Sequence, residues 1–166
     1  LTKVRELCTK HNVLMCADEI QTGFGRTGKM MCVDWEGVRP DILVMGKSMS
    51  GGMLPVSGCV ADDFIMKHIG PGDHGSTYGG NPLAMATSMA AVKTLVEEGM
   101  IENSARLGPI FKAELEKIKS PLIKEVRGRG LFVGVEVKEA NGISVTGVHL
   151  AKILAKYGIL TKATHD

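Results

Sequence analysis

Two short apolar runs stand out in the first third of the chain. Residues 13–17 read VLMCA and residues 42–45 read ILVM, neither with a charged side chain. Apolar runs of this length are typical of buried strands, and Pro40 and Gly46 bound the second one. Before the first run, Leu1, Val4 and Leu7 recur at helical spacing. A helix, an apolar strand, a loop and a second apolar strand predict an α/β domain with a mainly parallel sheet.

Charged residues follow both predicted strands. Asp18 and Glu19 come directly after the first run, and Gly46 and Lys47 come directly after the second. In α/β enzymes the chemistry lies at the carboxyl ends of parallel strands, so we expect these side chains at one edge of the sheet. A lysine taken alone is most often a solvated loop residue. The anion on the neighbouring strand favours a shared site, with Lys47 on one wall and Asp18 on the other.

A glycine-rich segment, GFGRTG at 23–28, matches the dinucleotide-binding pattern G-x-G-x-x-G. That fingerprint requires a strand immediately before it and a helix that opens on its last glycine. Here residues 18–22 intervene, and the chain reaches Gly37 and Pro40 too soon after Gly28 for a long helix. The sequence therefore favours a glycine-rich active-site loop, with a nucleotide-binding loop as the alternative.

Turn-forming residues divide the middle of the chain. A further strand is predicted at 54–60, followed by a short helix that ends at His68. The turn-dense loop 70–80 precedes a helix at 82–98, for which Asn81 is the predicted N-cap. The first half of that helix carries no charge, so we expect it to be buried nearly all round.

The loop before this helix offers hydroxyl groups. Ser76 and Thr77 lie a few residues before the helix start, where side-chain hydroxyls and backbone N–H groups suit a phosphate. Most loops rich in glycine, serine and threonine bind nothing, so this signal is weak when taken alone.

The pattern changes after Gly99, a typical helix stop. An amphipathic helix is predicted at 101–118, with a kink or restart at Pro109. The remaining patterns predict two strands, at 123–126 and 131–137, with a charged link at 127–130 between them. A helix at 146–157 and the start of a last strand at 159–160 follow. We therefore expect part of a large α/β domain at 1–99 and part of an α+β domain at 100–166.

Composition changes this picture little. The chain has 166 residues, a formal net charge of +2 and four cysteines without a C-x-x-C pair. So small a charge gives no electrostatic argument for nucleic acid or an anionic membrane. The histidines show no metal-ligand spacing, and no apolar run approaches the roughly 20 residues of a membrane helix. Leu1 in place of Met predicts a piece of a longer protein, expected in the cytoplasm, with the mitochondrial matrix as the alternative.

The candidate residues together suit one cofactor. A lysine amine forms Schiff bases with aldehydes, of which pyridoxal phosphate is the commonest in biology. This cofactor needs a lysine for its aldehyde, a carboxylate for its pyridinium nitrogen and donors for its phosphate. Lys47, Asp18 and the Ser76 and Thr77 hydroxyls supply these groups. At about 4 Å and an effective dielectric constant near 20, the carboxylate–pyridinium pair is worth roughly 4 kcal/mol, which keeps the ring nitrogen protonated.

The segment after Asp18 offers two further groups for the ring. Ile20 is placed to pack on its face, and Gln21 can hydrogen-bond its phenolic oxygen. Once freed from the aldehyde, Lys47 can serve as the acid–base group that moves the proton.

Three ordered motifs show which family the sequence resembles. They are DEIQTGFGRTG at 18–28, GKSMSGG at 46–52 and HGSTYGGNP at 74–82. In this order and spacing they resemble the class III pyridoxal-phosphate aminotransferases over essentially the whole chain. Within the family, VRELC at 4–8, VRGRGL at 126–131 and TKATH at 161–165 look most like the ornithine branch, with the acetylornithine or another ω-amino-acid branch as the alternative.

The resemblance implies a fold and a set of roles. The fold is fold type I of the pyridoxal-phosphate transferases, and the enzyme is a homodimer with shared active sites. Lys47 holds the cofactor, Asp18 pairs with its ring nitrogen and Gln21 lies by the ring oxygen. Ser76 and Thr77 bind the phosphate of the neighbouring subunit's cofactor. The implied reaction moves the δ-amino group of ornithine to 2-oxoglutarate, giving glutamate 5-semialdehyde and glutamate.

The family also keeps a phosphate-binding glycine loop, a stacking aromatic ring and substrate-binding arginines at positions outside this chain, so we expect the 166-residue chain alone to be inactive.

Two other hypotheses stay open beside this one. A non-catalytic nucleotide-binding module would use the glycine loop, but it leaves Lys47 without a role. An inert scaffold would have lost the chemistry, against which the joint presence of Lys47, Asp18 and Gln21 argues.

Overall fold

The computed structural model describes residues 1–164. Its helices are α1 (Thr2–Lys10), α2 (Asp63–Met66), α3 (Pro82–Glu97), α4 (Met100–Glu116) and α5 (Gly147–Ala155). Its strands are β1 (Cys16–Asp18), β2 (Ile42–Met45), β3 (Gly58–Ala61), β4 (Ile123–Arg129) and β5 (Phe132–Val137). No helix within the described range is long and apolar enough to cross a membrane. His165 and Asp166, which end the predicted C-terminal part, lie outside the described residues.

The first three strands form one sheet in the order β1-β2-β3. β1 and β2 are parallel, with Asp18 opposite Val44, as the apolar runs predicted. β2 has its predicted bounds. β3 runs antiparallel to β2, with Val44 opposite Cys59, so the sheet is mixed at this edge.

Two strands are shorter than the apolar runs indicated. β1 takes only the last two residues of the run 13–17 and adds Asp18, while Val13 and Leu14 are exposed. The run 54–60 forms a strand only at Gly58–Ala61. β2 has only four residues, of which three pair with β1 and all four pair with β3, and this short central strand limits the length of both neighbours.

A carboxylate ties α1 to the start of β2. Asp41 Oδ2 accepts a hydrogen bond from Arg5 Nη1 at 2.5 Å and another from the backbone N–H of Met15 at 2.6 Å. These two bonds, the Met15 bond first, lower the pKa of Asp41 below its ordinary value. The apolar stripe of α1 stays on the surface, where Val4 and Leu7 are about half-exposed.

α3 begins as predicted but is far less buried. The Asn81 side chain accepts a hydrogen bond from Ala84 N at 2.9 Å, and Pro82 is the first helical residue, so the predicted N-cap is confirmed. The expectation of burial nearly all round is wrong, because in this helix only Ala84 and Ser88 are buried. An uncharged sequence permits burial, but within residues 1–164 too few elements lie against this helix to cover it.

α4 runs through Pro109 without interruption. The predicted restart of the helix is therefore wrong, while the predicted kink stays a prediction. A proline removes one backbone donor and its ring crowds the preceding turn, and packing of α4 against β4 and β5 offsets this cost. Gly108, next to the proline, lies so close to the Gly130 carbonyl that a Cβ there would come within 2.2 Å of the oxygen.

β4 and β5 form an antiparallel hairpin, with Val126 opposite Val135. Residues 127–129, which the sequence suggested as a linker, continue β4 instead. The Arg127 side chain is exposed and donates to Glu136 on β5 at 2.5 Å. α5 begins after Thr146, whose hydroxyl accepts a hydrogen bond from His149 N at 3.2 Å. The strand expected at 159–160 does not form.

Close backbone contacts join the hairpin turn, α4 and the glycine-rich loop. Leu131 N donates to the Arg26 carbonyl at 3.1 Å, and the Ser104 hydroxyl donates to the same carbonyl at 3.2 Å. A Cβ on Gly28 would lie 2.9 Å from Ala105 Cα, and one on Gly130 would lie 2.4 Å from the Thr27 carbonyl carbon. We call this contact, formed by residues 25–28, α4 and residues 130–131, the glycine junction. The proposed domain boundary near Gly99 stays a prediction.

Candidate active site

The parallel pair of strands places Asp18 and Lys47 at the same edge of the sheet. Asp18 is the last residue of β1 and lies opposite Val44. The backbone N–H of Glu19 donates to the Val44 carbonyl at 2.9 Å, so the chain leaves β1 still bonded to β2. Lys47 follows β2 after Gly46. The two apolar runs, each followed by a charged residue, predicted this placement of Asp18 and Lys47 at one edge.

Lys47 has an unusual backbone conformation. It opens a 3₁₀ turn, Lys47–Ser50, after the extended Gly46, and its own φ is +44°. Its side chain is exposed. Ser50, which is completely buried, donates to the Leu54 carbonyl and closes the loop behind the lysine. A positive φ is uncommon outside glycine and is found more often at functional sites.

Ile20 lies against the residue that precedes the lysine. A Cβ added to Gly46 would lie 3.5 Å from Ile20 Cγ2, an ordinary van der Waals contact. Ile20 N donates to Asp18 Oδ1 at 3.0 Å, which joins the carboxylate to the turn that carries Ile20 and Gln21. Ile20 is half-buried, whereas Asp18 and Gln21 are exposed. The edge thus presents an amine, a carboxylate, an apolar surface and an amide.

Glu19 is the buried member of the acidic pair. Its side chain is 2% exposed, Oε1 accepts a hydrogen bond from Val33 N at 2.8 Å, and Oε2 accepts one from the Thr22 hydroxyl. The sequence pattern alone does not distinguish the role of Glu19 from that of Asp18. A signal was present, because successive residues at the end of a strand point to opposite faces, so one of two adjacent acidic residues was bound to face inward.

Cys32 lies close to this carboxylate. Burial raises the pKa of its thiol, and the negative charge of Glu19 raises it further. The positive charge of Arg129 acts in the opposite direction with smaller effect. Cys32 is therefore a protonated thiol at neutral pH and is not an activated nucleophile.

A cavity of about 820 Å³ adjoins Lys47 on the side of α3 and the glycine junction. Its lining includes Lys47, Ser48, Arg26, Thr87 and Leu131. Of the predicted site residues only Lys47 reaches this cavity. The lysine thus stands between the carboxylate edge and the space beneath α3.

Ser76 and Thr77 lie on an exposed loop away from this group. Ser76 Oγ accepts a hydrogen bond from Gly79 N at 3.1 Å, and both side chains are exposed. Neither residue lines the cavity beside Lys47. Phosphate binding by these two residues, from a neighbouring subunit, stays a prediction.

The glycine-rich segment lacks the geometry of a dinucleotide-binding loop. No helix opens at Gly28, and the next helical turn is the 3₁₀ turn Cys32–Trp35. Gly28 instead meets Ala105 on α4. The match to G-x-G-x-x-G is explained by packing at the glycine junction, while Phe24, Gly25 and Arg26 line the cavity beside Lys47.

Comparison with known proteins gives consistent results. The family model described as aminotransferase class-III matches residues 1–166. Ornithine aminotransferase 2 of Staphylococcus saprophyticus is 49% identical over 166 residues, which is 100% of this chain and 40% of that protein.

Solved structures agree in fold. Plasmodium falciparum ornithine delta-aminotransferase shares 43% identity at a TM-score of 0.92, over 99% of this chain and 42% of that chain. Acetylornithine aminotransferase from Elizabethkingia anophelis shares 47% identity at a TM-score of 0.90, over 98% and 41%. The chain therefore spans less than half the length of each of these proteins.

Proposed function

Because the chain belongs to the class-III aminotransferases, we propose that it carries the lysine-bearing part of an enzyme that moves the δ-amino group of L-ornithine to 2-oxoglutarate. The products are glutamate 5-semialdehyde and glutamate. The structural likeness gives it fold type I of the pyridoxal-phosphate-dependent transferases, as the motifs predicted. The observation that carries the proposal is the shared sheet edge of Lys47 and Asp18 on adjacent parallel strands.

Members of this family use pyridoxal phosphate, and the residues present fit it. The exposed Lys47 amine follows β2, and the exposed Asp18 carboxylate ends the adjacent strand β1. The Ile20 side chain lies beside Gly46, the residue before the lysine, at an ordinary contact distance from where a Cβ would be. This set of groups matches what the aldehyde, the ring nitrogen and the ring face require.

Each residue has a distinct task in this proposal. Bound pyridoxal phosphate supplies an aldehyde that captures amines and a ring that accepts an electron pair from the substrate carbon. Lys47 Nζ would hold the aldehyde carbon and, once displaced by the substrate amine, would carry the proton at Nζ. Asp18 would pair with the ring nitrogen and keep it protonated. Ile20 would contact the ring face, and Gln21 would donate to the ring oxygen.

Trapping of the lysine–cofactor bond tests the proposal. The protein at its native length is incubated with pyridoxal phosphate, reduced with borohydride and digested, and the adduct is located by mass spectrometry. We expect a single adduct on Lys47 that is lost in Lys47→Ala. Lys67→Ala, which removes an exposed lysine beside α2, is the matched control and should leave the adduct unchanged. Label spread over surface lysines would contradict the proposal.

Acetylornithine is the second candidate substrate. The reason is the Elizabethkingia anophelis acetylornithine aminotransferase, whose identity to this chain is similar to that of the ornithine enzymes. Activity assays with L-ornithine and N-acetylornithine at equal concentration separate the two. A higher kcat/KM for N-acetylornithine than for L-ornithine would make N-acetylornithine the proposed substrate. The proposed roles of Lys47 and Asp18 would not change.

A further inference from the structure

Glu19 is a buried carboxylate between the candidate site residues Asp18 and Ile20 in the sequence, and the proposed mechanism gives it no task. Both of its oxygens accept hydrogen bonds, one from Val33 N at 2.8 Å and one from the Thr22 hydroxyl. A buried charge is costly even when such bonds satisfy it, so packing alone does not explain an acid at this position.

The backbone of Glu19 joins two further segments. Its N–H donates to the Val44 carbonyl of β2, and its carbonyl accepts from Gly23 N, each at 2.9 Å. Side chain and backbone together link β2, residues 20–23 and the turn Cys32–Trp35. Ile20 and Gln21 lie between these anchor points, and Asp18 directly precedes them.

We propose that Glu19 is a positioning residue that fixes the turn carrying Ile20 and Gln21 against Gly46 and Lys47. The inference rests on the proposed function, since the orientation of this turn matters to the chemistry only when the cofactor binds beside Lys47. Two donors, the Val33 N–H and the Thr22 hydroxyl, face the two carboxylate oxygens, and a carboxylate accepts from both without reorienting either.

Loss of the carboxylate has a defined consequence. The Val33 N–H would be left buried and unpaired, which favours conformations in which the turn moves away. Apparent affinity for a ligand falls in proportion to the fraction of molecules in the binding-competent conformation. Weaker cofactor binding and a changed ring orientation therefore follow, while Lys47 and Asp18 themselves stay in place.

The test compares Glu19→Ala with Asp41→Ala in the protein at its native length. Asp41 also accepts one backbone N–H and one side-chain bond, but it lies at the end of β2 away from Lys47. The measurements are the Kd for pyridoxal phosphate and the circular dichroism band of the bound cofactor, which reports ring orientation. We expect Glu19→Ala to raise the Kd by about tenfold and to alter the band. Asp41→Ala should change neither, although it lowers stability.

Two milder variants cover a failure of Glu19→Ala to fold. Glu19→Gln can accept from Val33 N and donate to the Thr22 hydroxyl, so it should restore most of the affinity and the band. Thr22→Val removes one partner only and should raise the Kd by a smaller factor.

The outcomes that overturn the inference differ from those that overturn the proposed function. A borohydride adduct on Lys47 together with an unaltered dichroism band in the Glu19 and Thr22 variants would overturn the role of Glu19 alone. Equal effects of Glu19→Ala and Asp41→Ala would do the same. Absence of the Lys47 adduct in the unsubstituted protein would overturn the proposed function and this inference with it.

Discussion

At the scale of single residues, the backbone of Lys47 carries a conformational cost. Its φ of +44° lies in the left-handed region, where a residue with a Cβ loses roughly 1–2 kcal/mol relative to the right-handed conformation. Glycine would adopt the same backbone without that cost. A lysine retained there fits a position whose side chain is needed for chemistry.

Replacement of Lys47 by glycine should therefore stabilise the fold relative to replacement by alanine. We expect Lys47→Gly to have a free energy of unfolding about 1 kcal/mol higher than Lys47→Ala, since only alanine keeps the strained Cβ. Urea denaturation of the cofactor-free proteins measures the difference. Ser48 does not have a positive φ, so there the order should reverse, and Ser48→Ala should be more stable than Ser48→Gly. An alanine variant at position 47 as stable as the glycine variant would contradict the prediction.

Asp41 makes stability depend on pH in the acid range. Its pKa in the folded state is lowered by the bonds from Met15 N and Arg5. The unfolded carboxyl therefore binds a proton more readily, and the stabilisation is present above the unfolded pKa and is lost as the pH falls through the folded value. Asp41→Asn should cost about 1 kcal/mol at neutral pH, with the difference shrinking below about pH 4.

Unfolding measured from pH 3 to pH 7 checks the prediction for Asp41. Asp63→Asn, on the exposed start of α2, serves as the control and should change stability little at any pH in this range. A cost of Asp41→Asn that is the same at pH 3 and pH 7 would show that the carboxylate charge is not what stabilises this contact.

At the scale of elements, the glycine junction depends on the absence of side-chain atoms. Gly28, Gly108 and Gly130 each bring backbone within a distance that a Cβ would not allow. The glycine-rich loop, which follows the turn with Ile20 and Gln21, is thereby held directly to α4 and to the hairpin turn. Adding even one methyl group at any of these three glycines should therefore displace both the glycine-rich loop and the hairpin turn.

Gly108→Ala should destabilise the protein strongly. The added Cβ would meet the Gly130 carbonyl oxygen at 2.2 Å, and backbone on both sides has to move. We expect a loss of about 3 kcal/mol in the free energy of unfolding. Gly134→Ala on β5 is the matched control, because nothing lies within 4 Å of its added Cβ, and it should be neutral or slightly stabilising. Equal melting temperatures of the two variants would exclude a tight junction.

Local patterns predicted the elements that depend on local chemistry. β2, the Asn81 cap of α3 and the meeting of Asp18 with Lys47 at one edge all follow from short apolar runs and the residues that end them. The antiparallel direction of β3 and the short β1 depend on partners distant in sequence, which periodicity does not contain.

The remaining differences have the same origin. The exposed face of α3 depends on what lies beside it, and the continuity of α4 at Pro109 depends on packing around a proline that would bend an isolated helix. The task of Glu19 depends on Val33 and Thr22, which the sequence does not mark as its partners. Ser76 and Thr77 matched a motif, but neither lines the cavity beside Lys47, so their phosphate-binding role stays a prediction.

At the scale of the whole molecule, a homodimer with shared sites predicts complementation between two inactive variants. Lys47→Ala removes the lysine of one subunit, and the double substitution Ser76→Ala with Thr77→Ala removes phosphate donors that would serve the neighbouring subunit's site. After the two proteins are unfolded and refolded together, mixed dimers contain one site with both defects and one with none. Activity of the mixture should exceed that of either variant refolded alone. No gain would place both sets of residues in the same subunit's site.

The glycine junction also bears on how the protein is made. Ser104 and Arg26, which it joins, are 78 residues apart. During synthesis the segment with Asp18, Glu19 and Lys47 leaves the ribosome well before α4 and the hairpin exist, and domains fold as their residues emerge. The glycine-rich loop therefore lacks its packing partners on the ribosome until α4 and the hairpin turn have been translated.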